Sequence, residues 1–133
     1  MNSSQIRELA NLGYLGSHGQ DHLPMGLLPG VEQVMQLEKS KKILEQLTQK
    51  EIYGISFPYG SLEACNVSAD KLEKLKYTYG VTIEGALNIS PFNKYYLARL
   101  NCNKAPLGKS YDLADHNFFS HYPVASWKFE NTK

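Results

Sequence analysis

The chain has 133 residues, enough for one domain with a core of its own, domains commonly running to about 100–150 residues. With 42% hydrophobic and 20% charged residues it reads as globular, and 14 basic against 13 acidic side chains, without a basic stripe, argue against nucleic acid or an anionic membrane surface as partner. No apolar run approaches the roughly 18 residues of a membrane span, and MNSSQIRELANLG lacks the apolar region of a secretory signal, so the chain as written is expected to be cytoplasmic, with export of a longer parent protein left open.

Ile6, Leu9 and Leu12 predict a helix over 4–12, with Ser3 or Ser4 as cap and Gly13 as stop. Residues 14–17 form a short apolar segment bounded by glycine, a candidate buried strand that leads into His18. HLPMGLLPG follows as loop. Residues 31–50 predict the strongest helix, with Val31, Val34, Met35, Ile43, Leu44 and Leu47 as its inner face. A strand is expected over 52–57, halted by Pro58-Tyr59-Gly60. Ser68 is placed to cap a helix over 69–77, with Leu72 and Leu75 inward. Short strands over 81–83 and 96–101 complete the alternation, and the pattern weakens from Asn103 onward.

Alternating strands and helices predict an α/β domain with mainly parallel strands and right-handed crossovers. Chemistry in such folds collects at the C-terminal ends of strands. That rule selects two loops, SHGQDH after the first strand and FPYG after the second.

His18 and His22 stand four apart, and neutral imidazole is the commonest protein ligand for zinc and related metals. Catalytic zinc usually has three protein ligands, so the pair is an incomplete set, and an arbitrary HxxxH is more often a pair of solvated loop histidines. Asp21 adjoins His22, which makes joint coordination awkward, and a turn or capping role suits it better. Asp112, Asp115, His116 and His121 are alternative donors that spacing does not separate. In FPYG, proline and glycine fix a tight turn able to aim backbone N–H groups into a cleft, where they would stabilise an oxyanion. Cys65 and Cys102 form no CxxC pattern and read as buried or incidental thiols. The sequons at Asn66 and Asn88 are matched by chance on this reading.

The succession LGYLGSH, HxxxH, a helix containing QLEKSKKILEQL and then SFPYGS resembles the polysaccharide deacetylase (NodB-homology) family, carbohydrate esterase family four. The resemblance runs on through LKYTYGVTIEGALN to YYLARLN and covers about residues 5–101, leaving 102–133 as a C-terminal extension of one partial domain. It implies a partial, distorted (β/α) barrel and a divalent metal, often zinc, held by His18 and His22. The implied reaction is hydrolysis of N- or O-acetyl groups on oligo- or polysaccharide. Tyr59 matches the residue whose backbone N–H contributes to the oxyanion hole, Pro58, Tyr59 and Gly60 would line the substrate site, and Arg99 matches a supporting arginine. The family's Asp-Asp strand, which supplies base and third ligand, has no counterpart here. Ser56 stands where an arginine often orients that base, and the late histidine motif has no clear match. The expectation is a truncated, weak or inactive hydrolase. The alternative is a non-catalytic carbohydrate-binding or protein-interaction domain, and in either case an open barrel edge would invite self-association or a partner chain.

Overall fold

The computed structural model describes residues 1–101, 103, 105, 108 and 118–125. Cys102, Asp112, Asp115 and His116 lie outside the described residues.

Helix α1 spans Ser3–Asn11. Its cap is Asn2, one residue earlier than expected: Asn2 and Gln5 exchange side-chain and backbone hydrogen bonds in a capping box. At the other end Gly13, at φ 75°, closes a Schellman motif in which Tyr14 N–H donates to Leu9 and Gly13 N–H to Ala10. Arg7 Nε donates to the Leu47 carbonyl and fastens α1 to the last turn of α2, Gly30–Thr48, satisfying a carbonyl that the helix itself leaves open. The proline-rich loop before α2 contains a single 3₁₀ turn, Met25–Leu27, which plants Met25 in the core.

The inner face of α2 differs from the expected one. Val31 is 85% exposed, and Met35 and Ile43 are also exposed, while Gln33, Gln36, Leu37, Ser40, Lys41 and Thr48 are buried. Each buried polar group has a partner. Gln33 Nε2 donates to the Leu28 carbonyl and its Oε1 accepts from Lys71 Nζ. Lys41 donates to the Ile52 carbonyl and pairs with Glu45 at 3.0 Å. Polar side chains can occupy a core-facing stripe when the loops beside it supply hydrogen-bond partners.

Strand β1 is Gly54–Ser56 and β2 is Tyr79–Val81, paired in parallel with Gly54 opposite Tyr79. Helix α3, Ala69–Lys74, crosses between them; Ser68 is its cap by position, without a side-chain cap bond. Both strands are short, and β2 begins two residues before the expected 81–83. Gly80 sits in the strand because a Cβ there would meet the Tyr95 carbonyl at 2.6 Å and the Phe57 ring at 2.7 Å. The first and last expected strands shrink to single bridges, Ser17 with Ile55 and Val81 with Leu97, both parallel. The order across the sheet is therefore Ser17, β1, β2, Leu97, the same as the order along the chain. This is the arrangement of consecutive units in a (β/α) barrel. Ser17 pairs on one side only among the described residues.

The core under this arc contains Leu37 from α2, Ile55 and Phe57 around β1, Leu72 from α3, and Tyr77, Tyr95 and Tyr96. Tyr77 Oη donates to the Leu37 carbonyl at 3.0 Å and Tyr96 Oη to the Val67 carbonyl at 2.9 Å, so the phenols enter the core with their polar ends satisfied.

Candidate functional site

His18 follows directly on Ser17, where the first strand position ends. Ser17 is held from two sides: its N–H donates to the Gly54 carbonyl and its hydroxyl bonds the hydroxyl of Ser40 on α2. His18 projects from this fixed point into an exposed position, and its Nδ1 lies 2.6 Å from the Ser56 carbonyl oxygen at the end of β1. A carbonyl only accepts, so Nδ1 is the donor in this contact, and in the neutral ring that leaves Nε2 as the acceptor.

Between the histidines the chain makes a tight turn. Gly19 has φ 73° and His22 φ 54°, both left-handed. For a residue with a side chain that conformation costs about 1–2 kcal/mol and persists only where its surroundings hold it. Here they do. Gln36 Oε1 accepts from the N–H groups of Gln20 and Asp21 at 3.2 and 2.9 Å, and Gln36 Nε2 donates to Asp21 Oδ2 at 2.7 Å. Asp21 thus takes the turn role expected of it.

The turn brings the His22 ring to 5.0 Å from that of His18, edge to face, and 5.1 Å from the ring of Tyr59. Tyr59 comes from the FPYG loop, so both loops selected from sequence meet on one rim. Pro58 is buried, while Tyr59 is exposed at φ 63° and Gly60 follows at φ 69°. Ile83 N–H donates to the Gly60 carbonyl at 2.9 Å and holds the loop to the chain beyond β2. Among the described residues nothing accepts the Tyr59 backbone N–H.

Arg99 lies two residues past the Leu97 bridge, with β1 and β2 between it and the histidines, and its N–H donates to the Glu84 carbonyl. His121 is exposed in the 3₁₀ turn Phe118–His121. Among the described residues no group of three His, Cys, Asp or Glu side chains is placed to hold a metal. Two imidazoles, one with its outer nitrogen fixed as an acceptor, do fit a zinc-like ion as part of a ligand set. Gln36 and the Ser56 carbonyl escaped the sequence reading. The readable signal was the polar stripe Gln33, Gln36, Ser40 at helical spacing on α2.

The family model for polysaccharide deacetylase matches residues 1–80. Solved structures similar to the chain include the Streptococcus pyogenes deacetylase PplD in complex with acetate, with a TM-score of 0.64 and 18% identity over 75% of this chain and 44% of that one. The BpsB deacetylase domain from Bordetella bronchiseptica gives a TM-score of 0.60 and 18% identity over 75% of this chain and 48% of that one. A polysaccharide deacetylase from Bacillus cereus gives 0.55 and 21% over 75% and 32%. The chain thus spans between about a third and a half of the length of these proteins. No curated protein sequence matches it. These likenesses show the fold, a partial and distorted barrel of the deacetylase type with parallel strands.

Proposed function

The chain belongs to the polysaccharide deacetylase family, and from that premise we propose that it carries the histidine half of a metal-dependent site that removes acetyl groups from N- or O-acetylated carbohydrate. The meeting of His18, His22 and Tyr59 on one rim carries this reading. His18 and His22 would hold a divalent metal, zinc by donor type, with Nε2 of His18 as one ligand atom. When bound, such a metal acts as a Lewis acid towards an acyl oxygen and lowers the pKa of water towards about 7.

The chain's own groups do the rest. Pro58 and Gly60 shape the loop on which the acetyl group rests. The Tyr59 N–H, which has no acceptor among the described residues, would donate to the acyl oxygen as negative charge develops on it. A preorganised donor of this kind is worth about 10²–10³ in rate. Arg99 supports the later strand from a distance. A general base contributes typically about 10²–10⁴. None is assigned among the described residues, and the third ligand is not among them either. Weak activity of this chain by itself is part of the proposal.

A second reading, prompted by the incomplete donor set among the described residues, is a deacetylase-derived domain that binds carbohydrate or another protein without turning over. One experiment separates the two. Zinc content and acetate release from N-acetylated oligosaccharides are measured for wild type and for His18→Ala/His22→Ala. Zinc and acetate release that both vanish in the variant support the hydrolase. Zinc bound without acetate release favours the binding domain, and equal, negligible zinc in both proteins removes the metal site. Ser17, bridged on one side only among the described residues, is consistent with self-association or recruitment of another chain there, and a plain monomer in sedimentation at high concentration would count against that.

A further inference from the structure

We propose that Gln36 is a positioning residue for the histidine pair, holding the Gly19–Asp21 turn in the shape that sets His22 beside His18. The proposal rests on the reading of His18 and His22 as metal ligands. Gln36 is only 3% exposed. It comes from the second turn of α2, a helix tied through Gln33 to Leu28 and Lys71 near its start and through the Leu47 carbonyl to Arg7 at its end, and so gives the turn a fixed reference.

Its amide has one workable orientation. Two backbone N–H groups, from Gln20 and Asp21, need an acceptor, and the Asp21 carboxylate needs a donor. Oε1 and Nε2 meet these demands only one way round. The three bonds grip the two residues that lie between left-handed Gly19 and left-handed His22. Released from that grip, His22 can relax to an ordinary negative φ and swing its ring away from His18. The Gln36 side chain bonds Gln20 and Asp21 and neither histidine, so it acts through the turn and is not itself a ligand.

The test uses the full chain, zinc titration calorimetry, NMR contacts between the His18, His22 and Tyr59 rings in zinc-free protein, and thermal melting. Gln36→Leu keeps the helix and removes all three bonds. Its zinc affinity should fall about 10–100-fold, the range for groups that orient ligands, and the His22–Tyr59 ring contact should disappear while the protein still melts cooperatively. Gln36→Glu should also weaken zinc, because two carboxylates then face each other. Adding Asp21→Asn restores a donor to that pair with reversed polarity, and affinity should return to within about threefold of wild type.

Unchanged zinc affinity and an unchanged ring contact in folded Gln36→Leu would overturn the proposal. If Gln36→Leu does not fold, rescue of Gln36→Glu by Asp21→Asn supports it and failure of that rescue in a folded double variant overturns it. If wild type and His18→Ala/His22→Ala bind zinc equally weakly, it is the metal reading that has failed. The zinc-free ring contact then decides on Gln36 alone: lost in Gln36→Leu it supports positioning, and kept it overturns it.

Discussion

His18 Nδ1 and the Ser56 carbonyl oxygen are 2.6 Å apart, which joins the histidine loop to the end of β1 across 38 residues of sequence. The acceptor is backbone, so the side chain at 56 is free to vary without disturbing the tautomer. Ser56→Ala should therefore leave zinc affinity within about twofold of wild type, whereas His18→Ala should lower it at least about 100-fold, beyond the loss expected for an orienting group. Because His18 is exposed, His18→Ala should change stability by no more than about 0.5 kcal/mol. Calorimetric zinc titration beside urea denaturation reads both. A large stability loss together with the zinc loss would make His18 a structural residue.

Gly60 gives a sharper test of the second loop. It sits at φ 69°, and a Cβ there would meet Ile83 Cγ2 at 2.5 Å and the Ile83 nitrogen at 2.9 Å. The nitrogen is itself bonded to the Gly60 carbonyl and has little room to retreat. Gly60→Ala combines left-handed strain of about 1–2 kcal/mol with overpacking of about 1–3 kcal/mol. A loss of about 2–5 kcal/mol in urea denaturation is expected, and a neutral result would mean that the turn relaxes at no cost.

The loops were legible because their chemistry is local: imidazoles at a strand end, and Pro-Tyr-Gly after an apolar run. The inner face of α2 was not. Val31, Val34 and Met35 carry a helical period that periodicity assigns to the core, but Val31 and Met35 are exposed. The buried places went to Gln33 and Gln36, whose partners Leu28, Lys71, Gln20 and Asp21 come from loops and from α3. A helical wheel contains no term for a hydrogen bond to a residue outside the helix. Gly80 shows the same limit in β2, since its value there is close approach to Tyr95 and Phe57, which only the folded chain defines.

Cys65 sets a pH dependence whose sign can be worked out. Burial pushes its thiol from the ordinary 9.0 up to about 12, with the charge of Glu84 adding to the effect. Burial raises the Tyr77 and Tyr96 phenols in the same direction. Unfolded chain then loses protons at a pH where the folded chain keeps them. The stabilisation from a protonated Cys65 is intact below pH 9 and is lost as pH rises towards 12, by at most about 1.4 kcal/mol per pH unit for one group. Urea midpoints should fall between pH 9 and 11, less steeply in Cys65→Ala, and a thiol reagent should label Cys65 only as the chain unfolds. Rapid labelling of folded protein at pH 8 would contradict the burial.

The two faces of α2 can be set against each other directly. Leu37 is fully buried among Met25, Ile55 and Tyr77, and its carbonyl accepts from Tyr77 Oη at 3.0 Å. Met35, two residues earlier, is 52% exposed. Truncating a buried leucine costs about 2–5 kcal/mol, because the neighbours close only part of the cavity left behind. Truncating a half-exposed methionine removes few contacts, and alanine is the better helix former, so Met35→Ala should fall within about 0.5 kcal/mol of wild type. Periodicity alone placed Met35 on the inner face, where its loss would rival that of Leu37. Leu37→Ala destabilised by more than about 2 kcal/mol, with Met35→Ala near zero, would fix the helix orientation that delivers Gln36 to the histidine turn. The reverse order of the two variants would rotate α2 and take Gln36 away from Asp21.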